Sequence, residues 1–164
     1  MYTVKSMFVR GLLWISLFMT FVAFLATGCK EDPYVITCKD GLVEYEELKN
    51  GELVSFVNVK DTDKFIQRVI RSRIESEQSI DLSRVNAKID FKEKTLLAGR
   101  IYSGQRTILV RQELTSDCKR EEITYRITLK YHQYLPESGY TKFFAIIPKI
   151  SDKTKIKYII DYEN

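Results

Sequence analysis

The chain has 164 residues, 45% apolar and 29% charged, enough for one domain with its own core and too short for a multidomain enzyme. Seven glycines and three prolines exclude collagen-like and low-complexity classes, and a net charge of +4 lacks the concentrated positive field of a dedicated nucleic-acid binder. Three cysteines leave one over in any scheme of internal pairing.

Lys5 and Arg10 open the chain with positive charge, and residues 11–27 follow as an apolar run with no charge in it. That is the layout of a secretory signal, and the run is short for a bilayer crossing of about 20 residues. The run ends in Leu25-Ala26-Thr27-Gly28-Cys29, which resembles the lipobox of bacterial lipoproteins, with Ala26 where that family most often has leucine. The resemblance implies that residues 1–28 are a signal peptide and that Cys29 carries the lipid, with residues 29–34 as a tether. Lys30-Glu31-Asp32 resembles the export signal of Bacteroidota lipoproteins, which implies a cell outer membrane address, lipid-anchored and facing the exterior. Membrane attachment by more than one acyl chain is stable, whereas a single chain is marginal.

Loss of residues 1–28 would leave 24 basic and 22 acidic residues, close to balance, which further disfavours nucleic acid as a partner. With Cys29 consumed by lipid, Cys38 and Cys118 remain, in a compartment where disulfides persist. They are expected to pair. Two unpaired thiols remain the alternative, because spacing in sequence does not bring two α-carbons within bonding distance.

Residues 35–164 read as one globular domain. Val35, Ile36, Val43, Tyr45 and Leu48 suggest one or two short strands around Cys38. Asn50-Gly51 is a tight-turn pair, since both residues tolerate positive φ. Residues 53–59 read as a strand. Phe65, Ile66, Val69, Ile70 and Ile74 recur at helical spacing, which predicts one helix over about 62–75, capped by Asp61 or Thr62, with Lys64, Arg68, Arg71 and Arg73 on its solvent face. From Val85 the period becomes two. Strands are predicted over 85–91, 95–102, 107–114, 123–132, 143–147 and 155–162, with residues 136–139 turning the chain between the fourth and fifth of these. The resulting class is α+β, a mainly antiparallel β sandwich-like domain with one helix.

The chemistry-bearing residues are few. His132 is the single histidine and reads as a solvated strand residue rather than a catalytic base. No Gly-x-Ser-x-Gly elbow, Walker loop or dinucleotide glycine pattern is present, and Cys38, Cys118 and His132 are too far apart in sequence to suggest zinc. Asp61-Thr62-Asp63 reads as helix capping rather than calcium binding. No catalytic residue, metal or cofactor is therefore expected. Tyr131, His132, Tyr134 and Tyr140 gather near one turn, and exposed tyrosines offer rigid contact area to proteins or sugars. Tyr131 shares its register with Ile127 and reads as core, which leaves His132, Tyr134 and Tyr140 as the candidate binding surface.

A helix, then Ile89-Asp90-Phe91-Lys92-Glu93-Lys94-Thr95-Leu96-Leu97, a strand, a Gly104-Gln105 loop and a closing Phe-x-Ile-Ile-Pro strand resemble small exported domains of the protease-complex-associated or protease-inhibitor-like β type. The resemblance spans residues 53–162 and implies a fold and no functional residue, since Arg106 leads straight to Thr107-Ile108-Leu109 where that type has a Gly-rich segment. The expected function is that of a non-enzymatic binding module on the outer membrane, for an envelope protein, a host protein or a glycan. A protease-associated or inhibitor-like domain is the alternative, and a small hydrolase relying on Asp90 and His132 is a third.

Overall fold

The computed structural model describes residues 38–85, 88–134 and 137–163. The signal peptide, Cys29, the Lys30-Glu31-Asp32 signal and the tether expected from the sequence lie outside them. Among the described residues, no helix is long and apolar enough to cross a membrane.

Period-two alternation builds most of the domain. In chain order the elements are β1 (Gly41–Leu42), β2 (Glu46–Glu47), a 3-10 turn at Gly51–Leu53, β3 (Ser55–Phe56), β4 (Phe65–Ile70), α1 (Arg73–Ser79), β5 (Ile80–Asp81), β6 (Lys94–Ser103), β7 (Thr107–Asp117), β8 (Glu122–Tyr131), β9 (Gly139–Pro148) and β10 (Lys155–Glu163). The class is α+β and mainly antiparallel β. One four-stranded sheet runs β1-β7-β8-β10, a second runs β2-β9-β6-β4, and β3 pairs with β5 in a short ribbon. All pairings are antiparallel except β8 with β10, which run parallel from Lys155 opposite Glu122 to Glu163 opposite Lys130.

Two cores follow from the side-chain alternation. Leu114 on β7, Ile123, Tyr125, Ile127 and Leu129 on β8, and Tyr158 and Ile160 on β10 meet Leu97 on β6 and Phe143, Ala145 and Ile147 on β9 between the two sheets. The opposite residues of the second sheet, Ile70, Leu96, Ala98, Phe144 and Ile146, form another core under Leu48, Val54, Ile80, Val85 and Phe91. The second sheet is thus covered on both faces. The first sheet keeps one face toward solvent.

Several expectations are corrected here. Residues 65–70, expected as helix, form a strand paired with β6 from Phe65 opposite Ile101 to Ile70 opposite Leu96. The helix starts eleven residues later than its expected start at 62, at Arg73, with Ser72 as its cap, the Ser72 hydroxyl accepting from Glu75 N–H at 3.2 Å. Asp61 and Thr62 cap nothing; Asp63 closes a turn with Lys60. Residues 53–59 shorten to the 3-10 turn and the two-residue β3. The described part of 85–91 is turn and loop draped over the outer core rather than strand. β8 and β9 do not pair with each other as consecutive hairpin strands would, because they belong to different sheets.

Candidate functional site

The sandwich has two poles, distinguished by what the strand ends carry. At one pole β7 passes into β8 and β10 begins, and there Cys38 is bonded to Cys118 with α-carbons 5.6 Å apart across 80 residues of sequence. The disulfide expected from the sequence is present. Its surroundings hold the incoming chain: Asp40 accepts from the Cys118 N–H at 2.7 Å, and the Ser116 hydroxyl donates to the Lys39 carbonyl.

At the other pole β6 turns into β7, β8 ends and β9 begins. The inward series Ile123, Tyr125, Ile127 and Leu129 is buried, but its next member, Tyr131, is 43% exposed. The core position expected for Tyr131 is therefore corrected: sheet cover runs out at the end of β8. Tyr131 stacks on Tyr162 of the neighbouring β10, ring centroids 5.4 Å apart and planes 15° apart, and Tyr162 is likewise 43% exposed. Tyr134, 83% exposed, lies edge-on to His132 at 6.3 Å, and its N–H donates to His132 Nδ1. The His132 backbone is held on both sides, its N–H donating to the Arg106 carbonyl and its carbonyl accepting from Gln105 Nε2. Beneath the tyrosines sits a buried hydroxyl cluster, in which Thr107 and Thr141 bond across the sheets at 2.7 Å and Ser103 lies 3.5 Å from Thr107.

Tyr140 is at the same pole but on the outer face of the second sheet. Its ring meets Tyr102 edge-on at 5.2 Å and lies under the Arg100 guanidinium at 4.3 Å, and its hydroxyl donates to the Asp61 carbonyl. The cluster read from the sequence is thus divided. Tyr131, His132 and Tyr134 stay together, Tyr140 faces elsewhere, and Tyr162 joins from β10. Lys142, opposite Arg100, is buried enough that its pKa is lowered, first by loss of hydration and then by the Arg100 charge. Both cations direct bonds to backbone carbonyls, of Glu52 and Val54 for Lys142 and of Lys60 for Arg100.

Other candidates are scattered. Asp90 sits in the turn that starts β6, at the disulfide pole, far from His132. Lys64, Arg68, Arg71 and Arg73 share no helix face; Arg71 pairs with Asp152 and Arg73 with Glu77. Among the described residues, no three His, Cys, Asp or Glu side chains converge as metal ligands would. An open groove of about 800 Å³ lies between α1 and residues 88–91, with Ile80, Leu82 and Phe91 as its apolar part and Arg73, Glu77 and Lys88 among its lining residues.

No protein-family model matches this chain, and no curated protein or solved structure matches it.

Proposed function

We propose that this protein is a lipoprotein of the cell outer membrane, attached through Cys29 and facing the exterior, whose β domain is a non-enzymatic binding module for a protein or glycan partner. The observation that carries the binding part is the grouping of exposed Tyr131, Tyr134 and Tyr162 at the pole opposite Cys38–Cys118. A strand of ten residues spans about 33 Å, so the tyrosine pole lies about one strand length from Cys38, where the described chain begins. Tyrosine suits the role because its ring gives broad apolar contact with few rotatable bonds and its hydroxyl a polar handle. The lipobox-like and export-signal-like residues 25–32 support the anchor and its direction.

Two measurements test the reading. Palmitate labelling of growing cells should mark the wild-type chain and leave Cys29→Ala unmarked; label on Cys29→Ala removes the anchor. The full chain and its Tyr131→Ala/Tyr134→Ala/Tyr162→Ala variant should then be compared for retention on immobilised polysaccharides and for cross-linking to envelope proteins on intact cells. Binding should fall at least about tenfold, since central aromatic anchors each contribute more than about 1.4 kcal/mol. Equal binding by a variant that melts with wild-type cooperativity would retire the tyrosine pole as the site.

A further inference from the structure

Sheet edges are where a β domain meets other strands, and this domain treats its edges unequally. β1 and β2, which end the two sheets, are two residues each, and β7 is interrupted by a bulge between Leu109 and Arg111. On β4, the Arg68 carbonyl is occupied by the Tyr158 hydroxyl at 3.2 Å. Short strands, bulges and occupied carbonyls are ordinary ways of blunting an edge. Among the described residues, β10 has none of them: nine residues, no proline, and an unbroken register with β8 along one side only.

We propose that β10 is a self-pairing edge, through which two copies of this chain join antiparallel about a two-fold axis at Ile159 to make one continuous eight-stranded sheet. The backbone phase permits it. Lys155 N–H donates to the Glu121 carbonyl, so the odd-numbered residues of β10 point their peptide groups at β8 and Ile156, Tyr158, Ile160 and Tyr162 point theirs outward. Centred on Ile159, those outward groups meet as Ile156 with Tyr162 of the second copy and Tyr158 with Ile160, each a hydrogen-bonded pair of an antiparallel ladder.

The side chains select this register. The odd residues of β10 read Lys155, Lys157, Ile159, Asp161 and Glu163 on the solvent face. Pairing about Ile159 sets Lys155 against Glu163 and Lys157 against Asp161 at non-hydrogen-bonded positions, where side chains approach most closely, and Ile159 against itself. Lysines on an edge usually repel a second strand. Here the opposite sign fills the other half, so only antiparallel self-pairing satisfies both halves, while parallel pairing would stack lysine on lysine. Asp161 already bonds Arg126 on β8, which fixes its carboxylate on this face. An interface of this kind is isologous and closes at two copies.

The full chain in detergent provides the test, read on non-reducing gels after mild oxidation. Ile159 is the one β10 residue that meets its own copy, so Ile159→Cys should form a covalent dimer at least about tenfold faster than wild type or Lys157→Cys alone, and a mixture of Lys157→Cys with Asp161→Cys should cross-link as well. Cross-linking of Lys157→Cys alone at the rate of Ile159→Cys, or none above wild type, overturns the proposal. Charge reversal gives an independent reading without new cysteines. Lys155→Glu/Lys157→Glu should weaken the dimer at least about tenfold in sedimentation, and an equimolar addition of Asp161→Lys/Glu163→Lys should restore it. A wild-type chain that sediments as a monomer, or a dimer indifferent to both reversals, overturns it too.

Discussion

The ring of Phe143 stands where a side chain on Gly99 would begin. The two residues are directly opposed in the β6–β9 register, and a Cβ at 99 would lie 2.2 Å from Phe143 Cζ and 2.8 Å from the Ile66 carbonyl oxygen. Phe143 covers the space the glycine leaves, and its ring packs edge-on against Tyr125 of the facing sheet at 5.8 Å. Gly99→Ala must displace that ring or bend β6, and should cost at least about 2 kcal/mol in urea unfolding. Gly104→Ala, with nothing within 4 Å of its Cβ, should change stability by less than about 0.5 kcal/mol. Equal effects at the two positions would show that the ring is free to move aside.

The bridge between Cys38 and Cys118 closes a loop of 80 residues. In the chain-entropy account such a loop contributes on the order of 4 kcal/mol by restricting the unfolded chain. Cys38→Ser/Cys118→Ser should therefore lower the unfolding free energy by several kcal/mol, while the contacts of Asp40 and Ser116 keep the N-terminal segment in place. Denaturation with and without reductant reads this, together with a thiol count on the unfolded, unreduced protein, which should find neither cysteine reactive.

Alkaline pH should unfold the domain. Tyr125 and Tyr158 are held well above the ordinary tyrosine pKa by burial, with Tyr125 donating to Gln112 Oε1 and Tyr158 to the Arg68 carbonyl. A raised pKa means that the unfolded chain loses these protons first. The associated stability is complete below about pH 10 and falls above it, by up to about 1.4 kcal/mol per pH unit for each tyrosine. Lys142, with its lowered pKa, opposes part of this loss. Urea midpoints between pH 8 and pH 11 should drop only above about pH 10, and the drop should shrink in Tyr158→Phe.

Helix α1 depends on its start. Ser72 caps Glu75 N–H while the Glu75 carboxylate accepts from Arg71 N–H at 2.5 Å, and with seven residues α1 has little stability of its own. Ser72→Ala should cost about 1 kcal/mol, and Ser72→Asp should keep most of that. Thermal melts of the two variants decide it.

β7, β8 and β10 were legible because each has one face dry and one wetter, so period two survives in the sequence, as in Ile123, Tyr125, Ile127 and Leu129, whereas β6 and β9, covered on both faces, stood out as short apolar runs between turns. β4 misled for a physical reason. It lies in a sheet covered on both faces, with Val69 in one core and Ile70 in the other, so neighbouring residues are both apolar and their spacing imitates a helix. The true helix had a readable signature in Ser72-Arg73-Ile74-Glu75, a capping-box pattern, but few apolar residues follow it because only Ser76 is buried. Strand order was out of reach, since nothing local in Lys155–Glu163 says that it runs parallel to β8 rather than pairing with β9. The tyrosine pole was half legible: Tyr131 and Tyr134 are near in sequence, whereas Tyr162 arrives only through that parallel pairing.

The placement of the disulfide also determines how the domain bears load. A pull on residue 38 against a grip at the tyrosine pole is carried by the covalent bridge straight to the turn between β7 and β8, bypassing the two-residue β1. From there it runs along the strands, so that the hydrogen bonds between β7, β8 and β10 are strained together in shear instead of opening one at a time. Reduction of Cys38–Cys118 would move the same load onto β1, whose pairing with β7 covers only Gly41 and Leu42.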